Sequence, residues 1–151
     1  MTGRASVPSM ETALLEQLRA AAAAVFPGSP VLAAYAYGSR VSGRPRPGSD
    51  VDIGYYLGGY RRGQLLSLGE ESRLASALVD AVGIAVDLRN LAEAPLELRG
   101  RVLEEGIRIY SGDDPERVAL ECYVLAHYHD YKETFRAMHT TRLRQLARRG
   151  L

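Results

Sequence analysis

Two aspartates one residue apart, Asp50 and Asp52, stand at the mouth of the apolar segment Val51–Leu57, and a third, Asp87, interrupts the run Ile84–Leu88. Side chains alternate along a strand, so Asp50 and Asp52 project to one face. Two carboxylates held that close repel, and burying them unpaired is expensive. A divalent cation relieves that cost, and all-oxygen donors suit Mg²⁺. Acids are disfavoured in strands and rarely buried without a partner. A carboxylate at Asp87 on an adjacent strand would complete a metal site with the other two. Taken singly, each acid also has a plainer reading: Asp50 as a turn cap, Asp52 as a solvated strand residue, Asp87 as a strand end reaching water.

Gly38-Ser39 follows directly on the apolar run Val31–Tyr37. A glycine there permits a tight turn and a close approach of backbone to a phosphate. Backbone N–H groups opening a helical turn attract anions, and the Ser39 hydroxyl donates one bond more. Arg40 comes next and joins Gly38 and Ser39 as a phosphate-binding candidate. Arg44 and Arg46 share its loop, where a solvated charge is the plainer account of each. Gly38-x4-Gly43-Arg44-Pro45 approaches a P-loop, but arginine replaces the lysine and proline the magnesium-binding hydroxyl, so that reading is rejected.

The elements that must carry these residues follow from periodicity and punctuation. Ser9 is a candidate cap for a helix running to about Phe26, with Leu14, Leu15, Leu18, Ala22 and Val25 on one face. Pro27-Gly28-Ser29-Pro30 stops it. Val31–Tyr37 and Val51–Leu57 read as buried strands. A second amphipathic helix is expected over Gln64–Val82, a strand over Ile84–Leu88, a helix over Ala92–Glu105 and a small strand over Ile107–Tyr110. Asp114 as cap and Pro115 at the first position then start a long helix reaching about Arg148. Strands alternating with helices give an α/β (α+β) fold, a small mixed sheet flanked by helices. One domain over residues 1–151 is expected, with its core at 31–110 and the long helix over about 114–148.

Among 151 residues, 46% are hydrophobic and 25% charged, as in globular proteins, and the formal net charge is +1. Polynucleotide binding through phosphates calls for a basic excess, which is missing, so nucleic acid is not the expected partner. A lone cysteine, Cys122, makes an intrachain disulfide impossible. No run of about 18 apolar residues exists to span a membrane, and the N-terminal segment lacks the apolar stretch of a secretory leader. A cytoplasmic location is expected. His127, His129 and Asp130 do not share one helical face, which argues against a zinc site. The aromatic surplus of the last helix, Tyr123, Tyr128, Tyr131 and Phe135, serves either core packing or a partner. Its basic end, Arg142 to Arg149, is either solvated or turned to an acidic partner.

Gly38-Ser39, a ten-residue spacer, Asp50-Val51-Asp52 and the later Asp87 together resemble the nucleotidyltransferase superfamily typified by DNA polymerase β. The strict match covers about residues 31–88. Size and spacer most resemble the minimal nucleotidyltransferases (MNT proteins), often the antitoxin half of HEPN/MNT toxin–antitoxin pairs. The resemblance implies a polymerase-β-like fold, ATP as substrate and two Mg²⁺ ions. Asp50 and Asp52 would touch both ions and Asp87 the catalytic one, with its role as general base left open. It implies transfer of AMP to a tyrosine of a cognate HEPN toxin, in a homo- or hetero-oligomer. A small-molecule acceptor such as an aminoglycoside, and an antitoxin acting by contact alone, are the alternatives.

Overall fold

The computed structural model describes residues 12–38, 50–59 and 65–150. Their order is α1 (Thr12–Val25), β1 (Val31–Tyr37), β2 (Val51–Leu57), α2 (Leu68–Val82), β3 (Val86–Asn90), α3 (Leu96–Glu105), β4 (Ile107–Ser111) and α4 (Asp114–Arg148). The strands form one mixed sheet in the order β3-β2-β1-β4. β1 pairs antiparallel with β2 and β4, while β2 and β3 run parallel across the α2 crossover. The expected mixed α/β architecture with a long last helix is what the chain adopts.

Helices cover both faces of the sheet. Leu18 and Phe26, from α1 and the turn after it, and Leu74 and Leu78 of α2 pack with Val51, Ile53 and Tyr55 on one side. On the other, Val102 of α3 and Leu120 and Val124 of α4 pack with Ala33, Tyr35 and Tyr56. Gly100 lets α3 and α4 touch: a Cβ there would fall inside the Tyr128 ring. A polar chain ties the start of α4 to the sheet. The Tyr35 hydroxyl donates to Glu121 Oε2 at 2.6 Å, Arg117 Nη1 donates to Glu121 Oε1 at 2.7 Å, and Arg117 Nε donates to Ser111 Oγ at 2.9 Å.

Several boundaries differ from those expected, each for a local reason. The second helix begins at Leu68, because Ser67 and Glu70 form a reciprocal capping box. The third strand is displaced to Val86–Asn90, because Gly83, left-handed at φ 76°, ends α2 and two linking residues follow. The Ala92–Glu105 helix is broken: Leu91–Glu93 form a 3-10 turn capped by Asn90, and Pro95, which has no N–H, stands ahead of α3. Asp113, not Asp114, caps α4, its carboxylate accepting from Glu116 N at 2.9 Å. Asp114 instead accepts from Ser111 Oγ at 2.6 Å. Ser9 lies outside the described residues.

Candidate active site

The parallel pairing of β2 with β3 sets Val51 opposite Val86 and Asp52 opposite Asp87. Neighbouring strands lie about 4.8 Å apart, and direct partners share a face, so the two carboxylates stand side by side. Asp50 immediately precedes β2 and is exposed, as is Asp87, whereas Asp52 is half-buried. Burial first, and then the charges of Asp87 and Asp50, hold the Asp52 carboxyl above its ordinary range; Arg89 opposes them. Sheet topology thus brings Asp87 beside Asp52, an acid far from it in sequence.

β1 supplies the wall of the site. In the antiparallel register Tyr37 is the partner of Asp52. Gly38, at φ +91°, closes the strand so tightly that a Cβ on it would overlap Asp52 Oδ2. A left-handed turn and a close approach are the two things glycine alone permits. Both were expected here for a phosphate; the group that Gly38 meets in this structure is the Asp52 carboxylate. Ser39, Arg40, Arg44 and Arg46 lie outside the described residues.

Two residues that sequence reasoning passed over belong to this face. Arg89 lies two positions beyond Asp87 on β3, opposite Gly54, so it shares the side of the acids. Tyr37 is half-buried among them; burial pushes its phenol up, Arg89 draws it down, and Asp52 and Asp87 push it up further. Strand parity could have found both, since Tyr37 ends one apolar run and Arg89 keeps step with Asp87.

Among the described residues, no three His, Cys, Asp or Glu side chains are drawn together tightly enough to hold a metal ion as they stand. The donor chemistry nevertheless fits magnesium: three carboxylates at one sheet end, two in register, with a repulsion that a cation would relieve. His127 is placed elsewhere, with Nδ1 2.9 Å from the Tyr123 carbonyl oxygen, and His129 faces Glu104 at 3.3 Å. Among the described residues no helix is long and apolar enough to cross a membrane.

Comparison with known proteins adds the family. No curated protein sequence matches the chain. Among solved structures, a toxin-antitoxin MntA-HpeT structure in mutant form is similar at TM-score 0.61 and 17% identity, over 85% of this chain and 98% of that one. A toxin-antitoxin structure with AMP-PNP is similar at TM-score 0.60 and 19% identity, over the same shares. The structure of a tri-AMPylated Shewanella oneidensis HEPN toxin in complex with MNT antitoxin gives TM-score 0.60 and 18% identity, again over 85% and 98%. At such identities the likeness is one of fold. The model of the family described as "Polymerase beta, Nucleotidyltransferase" matches residues 23–115, a span holding all four strands and all three acids. The chain therefore belongs to the polymerase beta nucleotidyltransferase family.

Proposed function

We propose that this nucleotidyltransferase moves AMP from ATP, with Mg²⁺, onto a tyrosine hydroxyl of a cognate HEPN toxin and thereby neutralises it. The observation that carries this reading is the register of Asp52 with Asp87 beside Asp50. The likeness in fold to toxin–antitoxin structures, one with AMP-PNP and one with a tri-AMPylated toxin, supports the nucleotide and the acceptor.

Asp50, Asp52 and Asp87 would hold the magnesium. Bound there, it supplies positive charge that offsets the charge developing on the phosphates during transfer. Gly38, with Ser39 and Arg40, binds the outer phosphates. Tyr37 and Arg89 border the acids on the same sheet face and shape the approach to them. The acceptor oxygen attacks the α-phosphorus as its proton passes to a carboxylate, for which Asp87 is the candidate. A phosphate ester forms, the bond between α-phosphorus and the bridging oxygen breaks, and pyrophosphate leaves. Placing the hydroxyl in line with that bond accounts for much of the acceleration.

The test is incubation of the full chain with α-labelled ATP, Mg²⁺ and the protein encoded beside it. Label on a tyrosine of that protein, lost with Asp52→Asn, supports the reading. Label confined to a small molecule such as an aminoglycoside overturns the protein acceptor. Neutralisation in cells that survives Asp52→Asn shows contact alone to be sufficient.

A further inference from the structure

α4 is far longer than the body it packs on. Its first half is anchored through Leu120, Val124 and Tyr128, all buried. Tyr131, Phe135 and Met138 continue that stripe at steps of three and four, which keeps them on one helical face. Yet they are 40%, 58% and 67% exposed. The face that holds α4 to the sheet thus runs on with Phe135 and Met138 mostly uncovered by this chain's described residues. Its rings are ordered along the helix: Tyr131 stacks on Phe135 with centroids 6.0 Å apart, and Phe135 on His139 at 6.2 Å.

Direction ties this face to the active site. Glu116 accepts from Gly59 N at 2.9 Å, beyond the end of β2 remote from Asp52. Glu121 then meets Tyr35 in mid-β1. His129 and Lys132 meet Glu104 at the end of α3, next to Gly106, which abuts Ala36 near the end of β1. α4 therefore runs with β1, and its free half passes beyond the sheet end where Gly38, Asp52 and Asp87 lie, on the side covered by α3.

Charge indicates what would cover it. Lys132 and Arg136 line a groove of about 390 Å³ with Phe135, and Arg142 lines the hollow beside Met138. Asp130 and Glu133 line neither, and among the described residues the only acid in these linings is Glu97 of α3. A second copy docked through the same face would bring further cations to linings that hold no acid of α4. An RNA would find rings here to stack on, but the formal net charge of +1 gives the chain no basic excess for its phosphates. We infer that the free half of α4 is the docking face for the acceptor protein, which meets it with an apolar surface bordered by carboxylates. Identifying the docked protein as the acceptor rests on the proposed function.

The test uses the full chain and, as probe, the protein encoded beside it. Phe135→Glu with Met138→Glu, both at exposed positions, should weaken binding at least 100-fold in calorimetry while circular dichroism is unchanged. Charge reversal by Lys132→Glu, Arg136→Glu and Arg142→Glu should weaken it at least tenfold and remove its salt dependence. Asp52→Asn should bind as the unmodified chain does. In transfer assays the docking variants should raise KM for the protein acceptor and leave KM for ATP alone. Binding by the Phe135/Met138 variant equal to that of the unmodified chain overturns the inference, and so does no binding by the unmodified chain. A self-association or an RNA complex of the unmodified chain that the same variant abolishes also overturns it. Binding that depends on this face, without AMP transfer, leaves the docking face standing and removes the enzymatic reading. Transfer without dependence on this face does the reverse.

Discussion

Gly38 and Asp52 compete for one space: the position a Cβ on Gly38 would take is filled by the Asp52 carboxylate. Gly38→Ala must therefore leave the left-handed region, displace Asp52, or both. A side chain in that region costs about 1–2 kcal/mol. Displacing a reacting group by an ångström reduces rates about 100-fold. The expected result is a loss of transfer of that order with a melting temperature only a few degrees lower. Full activity in Gly38→Ala would refute the tight coupling of strand end and carboxylate.

Asp52→Asn separates catalysis from stability in the opposite sense. Transfer should fall by about 1,000-fold or more, the scale of losing a principal electrostatic group. Stability should hold or rise, because burial and the neighbouring Asp87 and Asp50 disfavour the charge that the substitution removes. Mg²⁺ with ATP should raise the melting temperature of the unmodified chain and not of the variant. A variant that melts lower and still responds to Mg²⁺ with ATP would contradict the assignment.

The polar chain under α4 is a matter of stability. Glu121→Ala strips buried Arg117 of its 2.7 Å partner and Tyr35 of its 2.6 Å acceptor. Breaking a buried pair from one side costs about 3–5 kcal/mol. Glu121 keeps some contact with water, so the lower end of that range is expected in urea unfolding. Tyr35→Phe should cost only about 1 kcal/mol. Equal effects from the two changes would show that Arg117 does not depend on Glu121.

Alkaline titration offers a further handle. Burial, followed by the bonds to Glu121 and Glu71, pushes the Tyr35 and Tyr55 phenols far above their ordinary value of 10.0. A phenol that stays protonated when folded but ionises near pH 10 when unfolded makes stability constant below that pH and falling above it. Absorbance at 295 nm should show these two of the nine tyrosines ionising only as the chain unfolds. Reversible ionisation of all nine near pH 10 with the fold intact would refute this.

Gly100→Ala probes the contact of α3 with α4. Its Cβ would enter the Tyr128 ring, and overpacking of this kind costs about 1–3 kcal/mol. The acids sit on or just before strands, away from these helices, so transfer per folded molecule at saturating acceptor should be unchanged. A loss of transfer without a loss of stability would show that the helix pair governs the site directly.

What could be read from the residues alone was set by how local each signal is. Val31–Tyr37 and Val51–Leu57 are the observed strands to the residue, since Pro30, Gly38 and Gly58 mark their limits. β3 was misplaced by two residues because its ends answer to pairing with β2 rather than to its own apolar run. Asp50 and Asp52 were legible as a pair from strand alternation, but the place of Asp87 beside Asp52 rests on a strand register that no local pattern encodes. Tyr37 and Arg89 were overlooked although strand parity marks them both. Along α4, Leu120, Val124 and Tyr128 obey the same period as Tyr131, Phe135 and Met138, so periodicity could not tell where the body beneath the helix stops.

The parallel pairing of β2 with β3 has one more consequence. Asp52 and Asp87 are neighbours only once the crossover helix α2 has packed and delivered β3 to the sheet edge. A nascent chain that has closed the β1–β2 hairpin still has only part of its acid cluster. Competence for transfer should thus appear late in folding and all at once, making activity a report on the completeness of the sheet.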